Sequence, residues 1–235
     1  MGPHHQKSVF RNGTSLAPEQ RSARRGDERE LRRRTRVLAL AQSGSRHQGA
    51  SRAGAVELDP GQRADHAPDR LRLGDITYLP TGEGWLYLAV LLDTHSRRVV
   101  GRAMADHLRA ELALDALMMA LGARRPPPGL VHRTDRGCQY TAASYRETLA
   151  TRGLACSMRR SGDCLDNAMA ERFFSTLKAE LLGSQPWPTR AAARTATFEW
   201  IEAWYNRQRR HSALADRAPV AHEALHVLLL QDPAA

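Results

Sequence analysis

After Phe10 the chain carries no aromatic residue until Tyr78, a gap of 67 residues. Aromatic side chains contribute much of the buried area in a core, and this gap is filled largely by Arg, Gly, Ser and Ala, with RSARRGDERELRRRTR as its densest charge run. Such a segment cannot bury enough apolar surface to offset the entropy of ordering it. Within it, only ERELRRRTRVLALA has the makings of a short helix, and its apolar face is thin. Residues 1–72 hold 15 Lys+Arg against 8 Asp+Glu, so +7 of the net +10 sits there. We read 1–72 as a basic segment, disordered or weakly helical: either a solvated tail or an arm that contacts nucleic acid. A folded core is expected at 73–214, followed by a C-terminal tail at 215–235.

Several classes are excluded at once. No run approaches the ~18 uncharged apolar residues of a membrane span, and MGPHHQKSVFRNG lacks the apolar stretch of a signal peptide. The cysteines are Cys138, Cys156 and Cys164, odd in number and without a C-x-x-C pair. A disulfide framework or zinc finger is therefore not expected, and a reducing cytoplasm fits. The basic balance points to a polyanionic partner, most simply nucleic acid.

From residue 73 the pattern is that of a folded domain. GDITYLP (74–80) and GWLYLAVLLD (84–93) read as strands joined by the turn TGEG, and RRVVGRAMA (97–105) as a third. RAELALDALMMALGARR (109–125) has apolar residues at 112, 113, 116, 117, 120 and 121, a helical period that PPPG ends. LVHRTD (130–135), a helix at 143–153 and LACSM (154–158) follow. Helices are then expected at 168–182, capped by Asp166 or Asn167, and at 189–210. A hairpin followed by crossover units predicts a mixed five-stranded sheet flanked by helices.

Three carboxylates stand at informative places. Asp75 lies in the first strand, Asp135 ends the fourth, and Glu171 is on the helix after RSGDCLDN. There are 59 residues between the first two and 35 between the last two. In open α/β sheets, sites gather at the carboxyl ends of strands. Converging carboxylates repel unless a cation intervenes, and Mg²⁺ suits a partial oxygen site completed by substrate phosphates. Spacing alone does not single these three out from 25 acidic residues; their surroundings add to it. Glu171, Phe174, Ser175 and Lys178 fall on one helical face, with Phe173 and Leu177 turned toward the sheet. Lys178 is one of only two lysines beside 33 arginines, which marks a place for a compact ammonium such as a phosphate contact. An ordinary surface lysine is the other reading.

GDITYLPTGEGWLYLAVLLDTHSRRVVG, LVHRTDRGCQYTAASY, SMRRSGDCLDNAMAERFFSTLKAEL and YNRQRRHSAL follow in this order. Together they resemble an insertion-sequence transposase of the group numbered three, in its second-reading-frame product, whose catalytic core is of the retroviral-integrase type. The resemblance covers about residues 74–214. It implies a ribonuclease H-like fold and a D-D-E site in which Asp75, Asp135 and Glu171 are both the catalytic residues and the ligands of Mg²⁺, with Mn²⁺ as a substitute and two ions in the site. Lys178 falls where the family has its basic residue seven positions past the Glu. The implied reaction is hydrolysis of DNA at element ends to leave a 3′-hydroxyl, then direct attack of that hydroxyl on a target phosphodiester. Partners would be element-end and target DNA and further copies of the chain, in a bacterial cytoplasm at the nucleoid.

The sequence departs from the family pattern at Arg133, Thr134, Arg72 and Ala215-Asp216, where His, Ser, Trp and a Gly-aromatic pair are common. Residues 1–72 do not match the family's helical DNA-binding region, and their composition is that of out-of-frame translation of GC-rich DNA. The expectation is a truncated or frame-disrupted copy, active or a catalytically silent remnant that only binds DNA. DNA contacts are expected from Arg159, Arg160, Arg207, Arg209, Arg210 and His211, with Arg97-Arg98 as a lesser cluster. Asp93 is expected to anchor the bend before Ser96, Cys138 to be a packed thiol, and His132 to be either packed in its strand or a support for the site.

Overall fold

The computed structural model describes residues 67–135, 137–158, 164–182 and 186–231. Nearly all of the basic N-terminal segment, and Arg159 and Arg160, lie outside the described residues. Five strands, β1 (Leu71–Thr81), β2 (Gly84–Asp93), β3 (Val99–Ala105), β4 (Val131–Thr134) and β5 (Ala155–Met158), form one sheet in the order β3-β2-β1-β4-β5. The hairpin strands β1 and β2 and the following β3 are antiparallel, whereas β4 and β5 join β1 in parallel. Helices α1 (Ala110–Ala123), α2 (Cys138–Thr141), α3 (Ala143–Thr151), α4 (Cys164–Leu181), α5 (Arg190–Glu199) and α6 (Pro219–Gln231) complete the described elements, with a π-helical segment at Trp200–Tyr205 and a 3-10 turn at Ser212–Leu214.

The uninterrupted apolar run of β2 is explained by burial on both faces. Leu88, Val90 and Leu92 pack with Phe173 and Leu177 of α4 and with Trp200 and Ile201. Ala89 and Leu91 face the opposite layer, with Leu112, Ala116 and Leu117 of α1 and Tyr145 and Leu149 of α3. Helix α1 presses closely on β3: a Cβ at Gly101 would lie 2.3 Å from the Ala116 carbonyl oxygen. Only a residue without a side chain permits that approach.

Several elements differ from the sequence expectation. Strand β1 starts at Leu71 rather than 74, because Leu71–Gly74 pair with Val131–Thr134. The expected helix 189–210 changes winding after Glu199, and the Asn206 N–H reaches back to the Ile201 carbonyl at 2.9 Å, an i→i+5 bond. Helix α4 begins at Cys164, so Asp166 and Asn167 lie inside it rather than capping it. Phe174 is buried with Phe173 and Leu177 rather than sharing an open face with Lys178.

The segment read as a C-terminal tail contains α6, and Glu223 pins it to the sheet. Glu223 accepts hydrogen bonds from the Ser96 hydroxyl at 2.7 Å, from Arg98 Nη1 at 2.7 Å and from Arg124. Asp93 anchors the neighbouring bend, as expected, accepting from Ser96 N at 2.9 Å and standing 2.8 Å from Ser96 Oγ, whose single proton it shares with Glu223. Among the described residues no helix is long and apolar enough to cross a membrane.

Candidate active site

The register of the sheet brings the first two acids together. Gly74 of β1 is the partner of Thr134 of β4, the last pair of that parallel ladder. Asp75 and Asp135 are the next residue on each strand. Strand β4 ends there while β1 runs on beside β2. The two carboxylates therefore stand where the parallel β1–β4 ladder ends, Asp135 at the carboxyl end of β4.

Each carboxylate is held locally. Asp75 is half-buried and its Oδ1 accepts from the Ile76 N–H at 2.8 Å. Asp135 is exposed and its Oδ1 accepts from the Gly137 N–H at 2.9 Å. Gly137 is needed for this: a Cβ there would lie 2.8 Å from Asp135 Oδ1 and 2.9 Å from Gln139 Oε1. Gln139 is itself buried and fixed through its Nε2 to the Leu108 carbonyl at 3.1 Å.

Tyr140, which sequence reasoning did not single out, reports on the charge of the pair. Its phenol is pushed well above the usual range by burial first, then by Tyr145 and by the charges of Asp75 and Asp135. A negative potential at this spot suits a cation. The only signal for Tyr140 in the sequence was its position five residues past Asp135.

Behind the pair lies a packed aromatic wall. His132 is fully buried, shares a 2.5 Å hydrogen bond with the Tyr145 hydroxyl and is pushed down to about 3 by burial and the Arg72 charge. It is thus a neutral packing residue of β4. Cys138 is exposed instead of packed. The one-turn α2 directs Gln139 and Tyr140 inward and leaves the preceding thiol outside.

Glu171 is exposed on α4, whose buried face, Ala170, Phe173, Phe174 and Leu177, packs with Leu73 and Leu79 of β1. Two turns on, the Lys178 ammonium lies 4.6 Å from the ring centre of Tyr78, three residues past Asp75 on β1. Among the described residues no group of three or more His, Cys, Asp or Glu side chains is placed to hold a metal ion. The structure thus brings Asp75 and Asp135 together and sets Glu171 on the helix that docks against their strand.

The YNRQRRHSAL segment follows the π-helical turn. Arg209 Nε donates to Glu180 Oε1 at 2.9 Å, and Trp204 Nε1 to Glu180 Oε2 at 3.0 Å, tying this segment to α4. Arg207 and Arg210 are exposed. His211 packs edge-on against Tyr205, ring centres 5.1 Å apart, and is pushed down to about 4 by burial and by Arg209 and Arg97.

Sheet order, strand directions and an acid within the central strand beside one at the carboxyl end of its parallel neighbour define a ribonuclease H-like core. Two family models, both described as integrase core domain, match residues 65–164 and 152–219. The chain is 45% identical over 153 residues to the transposase for insertion sequence element IS904 of Lactococcus lactis, covering 65% of this chain and 60% of that one. It is likewise 45% identical over 156 residues to the transposase InsF for insertion sequence IS3A of Escherichia coli, covering 66% and 54%.

Solved structures agree on the fold. The chain aligns with the simian T-cell lymphotropic virus intasome (TM-score 0.56, 17% identity, 77% of this chain and 60% of that one). It also aligns with the HTLV-2 integrase catalytic core domain in complex with magnesium (TM-score 0.51, 17% identity, 67% and 97%). The two integrase core domain matches together span residues 65–219, and by sequence the chain is similar to insertion-sequence transposases whose core is of the retroviral-integrase type. It spans 54% to 60% of the length of these transposases.

Proposed function

We propose that the chain is the catalytic part of a DDE transposase, cutting DNA at element ends and joining the freed 3′-hydroxyl to a target phosphodiester. The observation that carries this reading is the position of Asp75 and Asp135, each one residue past the last register pair of β1 and β4, Gly74 and Thr134. Glu171 is the third acid. It shares α4 with Lys178, and Lys178 lies over Tyr78 of the strand that carries Asp75.

The donor set fits a hard divalent cation. Asp75 and Asp135 offer carboxylate oxygens, and the Tyr140 phenol senses their combined negative charge. Mg²⁺ is commonly held by one or two carboxylates plus waters and substrate phosphates, so two converging acids suffice to begin a site that Glu171 completes. Bound there, Mg²⁺ or Mn²⁺ supplies Lewis acidity and lowers the pKa of the attacking water or hydroxyl.

The protein's own contribution is positional. The Gly137 N–H and the turn after β4 aim the Asp135 carboxylate, and the β1 ladder holds Asp75 rigidly between β2 and β4. Lys178 contributes an ammonium for a substrate phosphate beside β1. Arg207, Arg209, Arg210 and His211, with Arg159 and Arg160, extend the contacts along the DNA backbone. Holding nucleophile and phosphodiester in line accounts for much of the barrier in such reactions.

The test is strand joining by the full chain on oligonucleotides bearing the element ends, with Mg²⁺ or Mn²⁺ and Asp135→Asn as control. Metal-dependent joined product absent from the control supports the reading. Joining no higher than the control, with DNA binding intact, leaves a DNA-binding remnant and refutes it.

A further inference from the structure

Away from the Glu171 and Lys178 face, α4 borders a cavity of about 260 Å³ whose charged lining, among the described residues, is entirely basic. Met169, Arg172, Phe173 and Thr176 supply one wall, at the i, i+3, i+4, i+7 spacing of a single helical face. Arg97, from the bend before β3, and Arg209, Arg210 and His211, from the segment after the π-helical turn, close the rest.

Three features show that the cavity is built and short of negative charge. Arg97 adopts a left-handed backbone (φ 62°), a conformation uncommon outside glycine. It is locked there by the Tyr205 hydroxyl, which donates to its carbonyl at 3.0 Å, and by its own N–H, which donates to the Asp93 carbonyl at 2.9 Å. Glu180, which lies beside Arg209, is shared between Arg209 and Trp204. His211 Nε2 is buried and, among the described residues, has no hydrogen-bond partner. Burial is the main cause that lowers the pKa of the Arg97 guanidinium; Tyr205 acts to raise it, and the Arg172 charge to lower it. Guanidinium groups converging from three chain segments match the oxygens of a phosphate, which they bind through paired N–H donors.

We propose that this cavity is a phosphate pocket that holds one phosphodiester of a DNA strand, distinct from the phosphodiester that reacts. The inference rests on the reading of the chain as a DNA-processing core; it adds Arg172 to the DNA-contacting residues and gives Arg97 one defined phosphate to hold. Glu171 and Arg172 point to different sides of α4, about 100° apart per residue. A strand phosphate in the cavity therefore lies around the helix from the acids, clamping DNA without competing for the metal.

The full chain, without metal, is titrated with the dinucleotide TpT, with its uncharged methylphosphonate analogue and with inorganic phosphate, following the His211 ring resonances by NMR. TpT is expected to shift these resonances and the methylphosphonate to leave them unmoved. The double variant Arg172→Gln/Arg210→Gln should weaken TpT binding at least tenfold, as should Thr176→Glu, which places an acid in the cavity. Arg152→Gln, on the exposed end of α3, should bind as the wild type does. Equal binding of the methylphosphonate, or wild-type affinity in both cavity variants, overturns the proposal. So does binding of inorganic phosphate without binding of TpT, which assigns the pocket to a free anion. Because no cleavage is measured, loss of strand joining with this binding intact refutes the catalytic reading alone.

Discussion

Substituting Gly137 by Ala tests whether the aim of Asp135, rather than its charge alone, carries the chemistry. Gly137 has φ −58° and ψ 147°, a conformation open to alanine, so the backbone is not strained. Loss of glycine's freedom in the unfolded chain favours the variant by about 0.4–1 kcal/mol. The new Cβ, however, would sit 2.8 Å from Asp135 Oδ1 and 2.9 Å from Gln139 Oε1. A carbon and an oxygen normally approach no closer than about 3.3 Å, so roughly half an ångström must be yielded. Gln139 is buried and tethered to Leu108. Asp135 is exposed and gives way. Displacements of about 0.5–1 Å in a reacting group cost on the order of 10- to 100-fold in rate, about 1.4–2.7 kcal/mol of barrier. The expected result is strand joining slowed by that factor with thermal stability equal to wild type or slightly higher. Joining at the wild-type rate refutes the claim that Gly137 sets the Asp135 position; a lowered melting temperature refutes the claim that only the carboxylate moves.

Gly101→Ala drives a Cβ against the Ala116 carbonyl and the Ala120 side chain, so α1 must lift from β3. A loss of about 1–3 kcal/mol or more is expected in urea unfolding, and an unchanged midpoint counts against the close packing. Tyr145→Phe removes the partner of a buried His132 nitrogen and should cost about 1–3 kcal/mol; a neutral result in the same assay counts against that bond. For Glu223, burial acts to raise the pKa, but hydrogen bonds from Arg124 and Ser96 and the charge of Arg124 outweigh it, so the carboxyl titrates below its ordinary 4.5. A depressed carboxyl stabilises the fold above its unfolded value and loses that contribution as pH falls through the folded one. Stability should therefore drop below about pH 4.5, and Glu223→Gln should flatten that limb; an equally steep limb in the variant dismisses Glu223 as its source.

How much of this was visible in the sequence depends on the range of the interaction responsible. The β1–β2 turn, the α1 period and the Asp93 bend rest on residues within a few positions of one another, and their chemistry is written in order along the chain. Asp75 and Asp135 were identifiable from the motifs around them, but their adjacency depends on a parallel ladder between strands 60 positions apart. Tyr140 and Gly137 gained meaning only when the turn after β4 was folded against that ladder. Cys138 was misjudged because a cysteine's preference for burial says nothing about which way a four-residue helix faces.

Helix α6 and the basic cavity show the limit most clearly. Nothing local in PVAHEALHVLLLQ names Ser96, Arg98 and Arg124 as the partners of Glu223, since those come from the β2–β3 bend and the end of α1. Arg97, Arg172 and Arg209 are likewise scattered, and only the docking of the π-helical segment on α4 gathers them. The sequence by itself determined the order and type of most elements, the class of the core and the candidate acids, because hydrophobic period, turn residues and motifs are local. The tertiary structure alone decided which acids meet, which arginines crowd and which surface the last helix covers, because register and helix docking are set by contacts between residues far apart in the chain.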